Sequence, residues 1–146
     1  MRQIFLVDNS VLQRVHRSVP VKEALTELLA AGDFGGCLPQ LLEEGYSARS
    51  ADEHAILLDA NRRAKIFLPP DGRVAEIAVD LQSRLFNSGA GRSVGVSDLQ
   101  IAATAIRHTD EAQRVVVVHY DADFENVARI APEFAHRWIV PHGSVH

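Results

Sequence analysis

Apolar positions in this chain fall into two kinds of pattern, short unbroken runs and longer stretches with helical spacing. Residues 115 to 118 are four valines in a row. β-Branched residues without alternation read as a strand buried on both faces, as in a parallel sheet. Ile4 to Val7 form a similar run near the start, with no charge on its apolar side, which places that strand centrally. Phe34 to Leu38, Lys65 to Leu68 and His136 to Val140 supply shorter runs. The two glycines of the 34–38 run weaken it as a strand.

Helical spacing fills the gaps. Val11 to His16 fits a short helical stretch, and Ser18 with Pro20 opens a helix whose body is VKEALTELLAA, residues 21 to 31. Leu25, Leu28 and Leu29 share one face there, and Gly32 is a good stop. Pro39 begins another helix running through QLLEEGYSARS, followed by helices over 51–64 and 72–87. Gly89 to Gly95 reads as a glycine-rich loop. Ser97 and Gln100 fit an S-x-x-Q capping box, and Ile101, Ala102, Ala105 and Ile106 continue the helix. A short helix over Glu125 to Ile130 follows the last valine run, and the tail to His146 is expected to be loose. Strands alternating with helices predict an α/β fold, with a central, mostly parallel sheet of four to five strands covered on both faces. There is no internal repeat and no linker.

Composition narrows the picture. A chain of 146 residues with 47% apolar residues fits a single domain, 1–146, with a real core. One cysteine, Cys37, excludes an internal disulfide framework and fits a reducing compartment. No apolar run approaches the roughly 20 residues that span a bilayer, so no membrane association is expected. The N-terminal stretch reads as a strand rather than a leader, making cytoplasmic residence the expectation. A net charge of −4 argues against general nucleic-acid binding, which draws its affinity from Lys and Arg on phosphates. A nucleic-acid role would need a local basic rim or a bound cation.

The chemistry lies in carboxylates at element ends. Asp8 ends the first strand, Asp98 lies in the first turn of the helix near Ser97, and Asp121 and Asp123 follow the valine strand. Glu43 and Glu44 lie in the helix after Pro39. Ligands of parallel sheets bind beyond the carboxyl ends of the strands. Two carboxylates about 5 Å apart repel by roughly 3 kcal/mol at an effective dielectric near 20. Hard cations with oxygen preference, Mg²⁺ or Mn²⁺, relieve such repulsion. Each residue taken alone has a blander explanation: Asp98 as a dipole-favoured charge, Asp8 or Ser10 as a turn residue, Asp123 as the N-cap of the helix at Glu125. The seven histidines show no zinc spacing, and His119 reads as a strand-end side chain. Arg14, Arg17, Arg49, Arg92 and Arg107 could contact phosphate, and Arg92, in the glycine-rich loop leading to Asp98, is favoured as a substrate-binding residue.

The segments VDNS, LEEGYSAR, SDLQIAATA and HYDADFENVA resemble the four acidic motifs of the PIN domain, in the order and spacing of VapC-like toxins of bacterial toxin–antitoxin modules. The closing WIVPHGS resembles the end of many actinobacterial members. The resemblance implies a PIN-like α/β/α sandwich and a metal-dependent endoribonuclease acting on specific tRNA or rRNA sites. It implies catalytic roles for Asp8, Glu43, Asp98 and Asp121, metal ligation by Asp8, Asp98, Asp121 and Asp123, and support from Ser10. Glu43 matches the motif glutamate because Tyr46 stands three positions on, ahead of the Ser-Ala-Arg run, with Glu44 as the alternative. Mg²⁺ or Mn²⁺ as cofactor, a VapB-like antitoxin and a homodimer are implied in the same way. His119 departs from the family pattern, where threonine or serine is common. Two other functions compete: a non-catalytic binding module that kept the fold, and a phosphohydrolase using Asp8 as nucleophile, against which Ser10 interrupts the usual D-x-D pair.

Overall fold

The computed structural model describes residues 1–146. Five strands, β1 (Arg2–Val7), β2 (Asp33–Cys37), β3 (Ile66–Leu68), β4 (Gln113–His119) and β5 (His136–Trp138), form one sheet in the order β3-β2-β1-β4-β5. All four pairings are parallel. The connections carry α1 (Asn9–Leu12) and α2 (Val19–Ala31), α3 (Leu38–Tyr46) and α4 (Ala51–Ala64), α5 (Gly72–Asn87) and α6 (Val96–His108), and α7 (Asp123–Ile130). No helix is long and apolar enough to cross a membrane.

The unbroken apolar runs divide their side chains between two cores, because successive strand residues face opposite sides. Ile4, Leu6, Val115 and Val117 pack with Leu81 and Leu85 of α5, Ile101 and Ala102 of α6, and Phe124 and Val127 of α7. Phe5, Val7, Val116 and Val118 pack with Val11 of α1 and with Val21, Leu25 and Leu28 of α2. The predicted sandwich is therefore present, and β1 is its central strand.

Of the two glycines of β2, Gly35 is required by close approach. A Cβ on Gly35 would stand 2.6 Å from Ile4 Cγ2 on the neighbouring strand. Gly35→Ala is expected to cost about 1–3 kcal/mol through overpacking, read as a lower urea midpoint at unchanged m-value.

Three local expectations are corrected. The helix after Pro39 ends at Tyr46 instead of continuing through Ser50, because Ser47 terminates it and Ser50 caps α4 by accepting the Glu53 N–H at 3.1 Å. Helix α6 begins two residues earlier than the capping box requires. Gly95 is its N-cap, Ser97 lies inside the first turn, and Gln100 donates to Val96 O at 3.2 Å. The tail is tied down: Gly143 and Val145 N–H groups donate to the Tyr120 hydroxyl, which donates to Val145 O at 2.9 Å. Each partner lies more than twenty residues away in sequence, beyond the reach of local pattern.

Strand order sets the place of the site. From β1 the chain moves outward through β2 and β3, then returns to the other side of β1 as β4 and β5. The switch point lies between β1 and β4. Parallel sheets open a crevice at the carboxyl ends of such strands. Asp8 follows β1 directly, and Asp121 follows β4 after one residue.

Candidate active site

Asp8 leaves β1 in extended conformation and caps α1, accepting the Ser10 N–H at 3.1 Å. Its own N–H donates to Val118 O at 2.9 Å, which locks it to β4. Asp8 is buried. That burial raises its pKa, hydrogen bonds from Ser10 act in the opposite direction, and Asp121 and Glu43 add repulsion. Ser10 is a tie as well as a partner of Asp8: its hydroxyl accepts the Tyr120 N–H at 2.9 Å, joining α1 to the end of β4.

Asp98 is the third residue of α6, at the positive end of the helix. Asp121 occupies the turn between β4 and α7. Its Oδ1 accepts the Asp123 N–H at 2.9 Å, so Asp121 organises the start of α7, and Asp123 is the first helical residue rather than its N-cap. Asp123 Oδ2 in turn accepts the Gly95 N–H at 3.3 Å, pulling the α6 N-terminus against α7. One carboxylate oxygen from each of Asp98, Asp121 and Asp123 lies within 4.8 Å of the others.

This cluster carries no compensating cation among the protein's own side chains. None of the eight ion pairs includes Asp8, Glu43, Asp98, Asp121 or Asp123. Burial, followed by repulsion from Asp8 and Asp121 and by the contact with Asp123, pushes the Asp98 carboxyl up to about 8. A group of oxygen donors this close, with one member driven toward protonation, fits a hard divalent cation.

The two adjacent glutamates separate cleanly. Helical geometry turns them about 100° apart. Glu43 is exposed and accepts from Asn9 Nδ2 at 3.0 Å, next to Asp8. Glu44 points to the other side, accepting from Lys65 Nζ at 2.7 Å and Asn61 Nδ2 at 2.8 Å. The structure thus brings Glu43 toward the carboxylates and gives Glu44 to a largely buried ion pair. Arg92 is exposed and makes no ion pair; it lies three residues before Gly95, on the loop that touches Asp123.

Two contributors escaped the sequence. Asn9 stands between two residues singled out there, and only its side-chain contact with Glu43 reveals a role. His136 begins β5, with no local signal, yet its Nδ1 lies 2.8 Å from Nε2 of His119. His119 is wholly buried, and that burial together with His136 lowers its pKa to about 3. Cys37 is a buried thiol, pushed up to about 12 by desolvation, and is inert at neutral pH.

Residues 5–130 match the PIN domain family model. The chain is 34% identical over 140 residues to ribonuclease VapC21 of Mycobacterium tuberculosis, covering 96% of each chain. It is 33% identical over 141 residues to ribonuclease VapC51 of the same organism, covering 97% of this chain and 96% of the relative. In fold it is similar to a DNA-bound VapBC complex from Salmonella typhimurium, with a TM-score of 0.69 at 17% identity over 96% of this chain and 100% of that one.

Proposed function

We propose, on the premise that this chain belongs to the PIN domain family, that it is an endoribonuclease, the toxin of a toxin–antitoxin pair. Relatives similar over nearly their whole length are named ribonucleases, which supports this reading. The observation that carries it is the Asp98–Asp121–Asp123 cluster at the sheet's switch point, with Asp8 and Glu43 beside it. All the carboxylates that hydrolysis requires are present, which favours an enzyme over a binding module that kept the fold. RNA is the substrate, cut at specific tRNA or rRNA sites. A VapB-like antitoxin is the partner, a homodimer the assembly and the cytoplasm the working compartment.

Asp8, Asp98, Asp121 and Asp123 would hold Mg²⁺ or Mn²⁺. Bound there, the ion supplies positive charge against the scissile phosphate and makes nearby water more acidic. Glu43 orients the attacking water and accepts its proton, from a position set by Asn9. Ser10 keeps Asp8 aligned with the end of β4. Arg92, the one cation on the loop before α6 and free of any ion pair, meets the RNA backbone.

Saturating Mn²⁺ is expected to raise the melting temperature. At one hundred times Kd, binding adds about 2.7 kcal/mol, or roughly 5–10 °C for a domain of this size. The gain should vanish in Asp98→Asn/Asp121→Asn, and EDTA should abolish RNA cleavage. Cleavage that persists in EDTA would overturn the metal assignment.

A further inference from the structure

We propose that His119 is a positioning residue for this site, acting through the backbone of Asp121; the inference rests on the nuclease reading above. His119 ends β4 and is fully buried. Its Nδ1 accepts the Asp121 backbone N–H at 3.2 Å, and its Nε2 lies 2.8 Å from His136 Nδ1. A backbone N–H can only donate. His119 Nδ1 therefore carries the lone pair, and the ring proton sits on Nε2, donated to His136 Nδ1. His136 must then keep its own proton on Nε2. The chain of hydrogen bonds fixes both tautomers and needs no charge.

Packing fixes the ring as well. Phe124 and Trp138 lie against the His119 imidazole, with centroids 4.9 and 4.8 Å away. The His136 ring lies edge to edge with it, nearly coplanar with centroids 5.1 Å apart, and Phe134 lies parallel to His136 at 5.6 Å. Trp138 is pinned by donating Nε1 to Glu125 at 2.8 Å. Asp121 is consequently held at two points, its amide by His119 and its carboxylate by the Asp123 N–H. A histidine that merely filled the core would not place its acceptor nitrogen on the amide of a cluster residue. This one transmits the rigidity of the β4–β5 edge to the Asp121 carboxylate.

Two substitutions separate positioning from packing. His119→Asn puts an amide oxygen near where Nδ1 stood. His119→Leu keeps bulk and removes the acceptor. Mn²⁺ affinity by calorimetry is expected to fall about tenfold in the leucine variant and to stay within about threefold of wild type in the asparagine variant. The kcat for RNA cleavage should follow the same order, with KM for RNA unchanged. Nitrogen-15 spectra of the wild-type protein should show a bare Nδ1 and a protonated Nε2 on His119, with slow exchange of the Asp121 amide. A proton on His119 Nδ1, or Mn²⁺ affinity equally reduced or equally unchanged in the two variants, would overturn the proposal. Should the leucine variant fail to fold, the wild-type spectra and the asparagine variant still decide. If wild type binds Mn²⁺ but cuts no RNA, the nuclease reading fails while the spectra and affinities still judge the role of His119.

Discussion

Asp98→Asn is expected to reduce RNA cleavage by roughly 100-fold or more and, in EDTA, to make the protein more stable. The first effect follows from removing a carboxylate of the metal cluster, since even groups that only support metal ligands cost about 10- to 100-fold when lost. The second follows from the charge that the fold imposes. The carboxyl of Asp98 is raised from 3.8 to about 8 in the folded protein, chiefly by burial and by Asp8 and Asp121. The folded state therefore holds a proton that the unfolded chain releases, and stability declines as pH climbs through that window. Below 3.8 the penalty is absent, and above about 8 it is complete. Asp98 is half-exposed, so solvent screening cuts the penalty well below the full shift, to about 2 kcal/mol. Asparagine keeps the shape without the charge. Its melting temperature should exceed wild type by about 4–8 °C at pH 9, with the gap closing near pH 4. An Asp98→Asn protein less stable than wild type at pH 9 would mean that the cluster is not under electrostatic strain.

The neighbouring glutamates give the second large effect, in opposite currencies. Glu43→Gln should lower kcat by about 100-fold, the loss expected for a general base, at nearly unchanged melting temperature. Glu43 is exposed, and the contact with Asn9 survives as an amide–amide bond. Glu44→Leu should leave kcat within about twofold and destabilise the fold by about 3 kcal/mol. Lys65 is only 9% exposed, and without Glu44 its ammonium loses its charge partner. Lys65→Met/Glu44→Leu should recover most of that loss, because removing both charges leaves neither buried and unpaired. Paired kinetics and urea unfolding check both variants. A catalytic defect in Glu44→Leu with Glu43→Gln fully active would exchange the two assignments.

The fold was largely legible because its strands are unbroken apolar runs and its helices carry clear apolar faces. Val115 to Val118 could only be a doubly covered strand, and the structure divides these valines between both cores. Asp98, Asp121 and Asp123 converge as expected because each stands at an element end that parallel topology brings to one crevice. What stayed hidden depends on side-chain direction or distant contact. The sequence could not choose between Glu43 and Glu44, since the choice turns on Lys65 and Asn61, which come from the end of α4 and the residue after it. It placed Ser97 as a cap, whereas contact between Gly95 and Asp123 moves the helix start back. It placed His119 at a strand end, where the structure also has it, but gave no sign of its contact with His136, which lies on a strand seventeen residues away.

The most direct test of the central claim is cleavage of total cellular RNA by the purified, antitoxin-free protein in Mn²⁺ or Mg²⁺, with fragments mapped by end sequencing beside Asp98→Asn and EDTA controls. Discrete cuts at a few tRNA or rRNA positions, lost in the variant and in chelator, are the predicted result. Wild-type protein that is folded and binds Mn²⁺, yet leaves every RNA intact under all these conditions, would contradict the account and make the chain a binding module with a PIN fold.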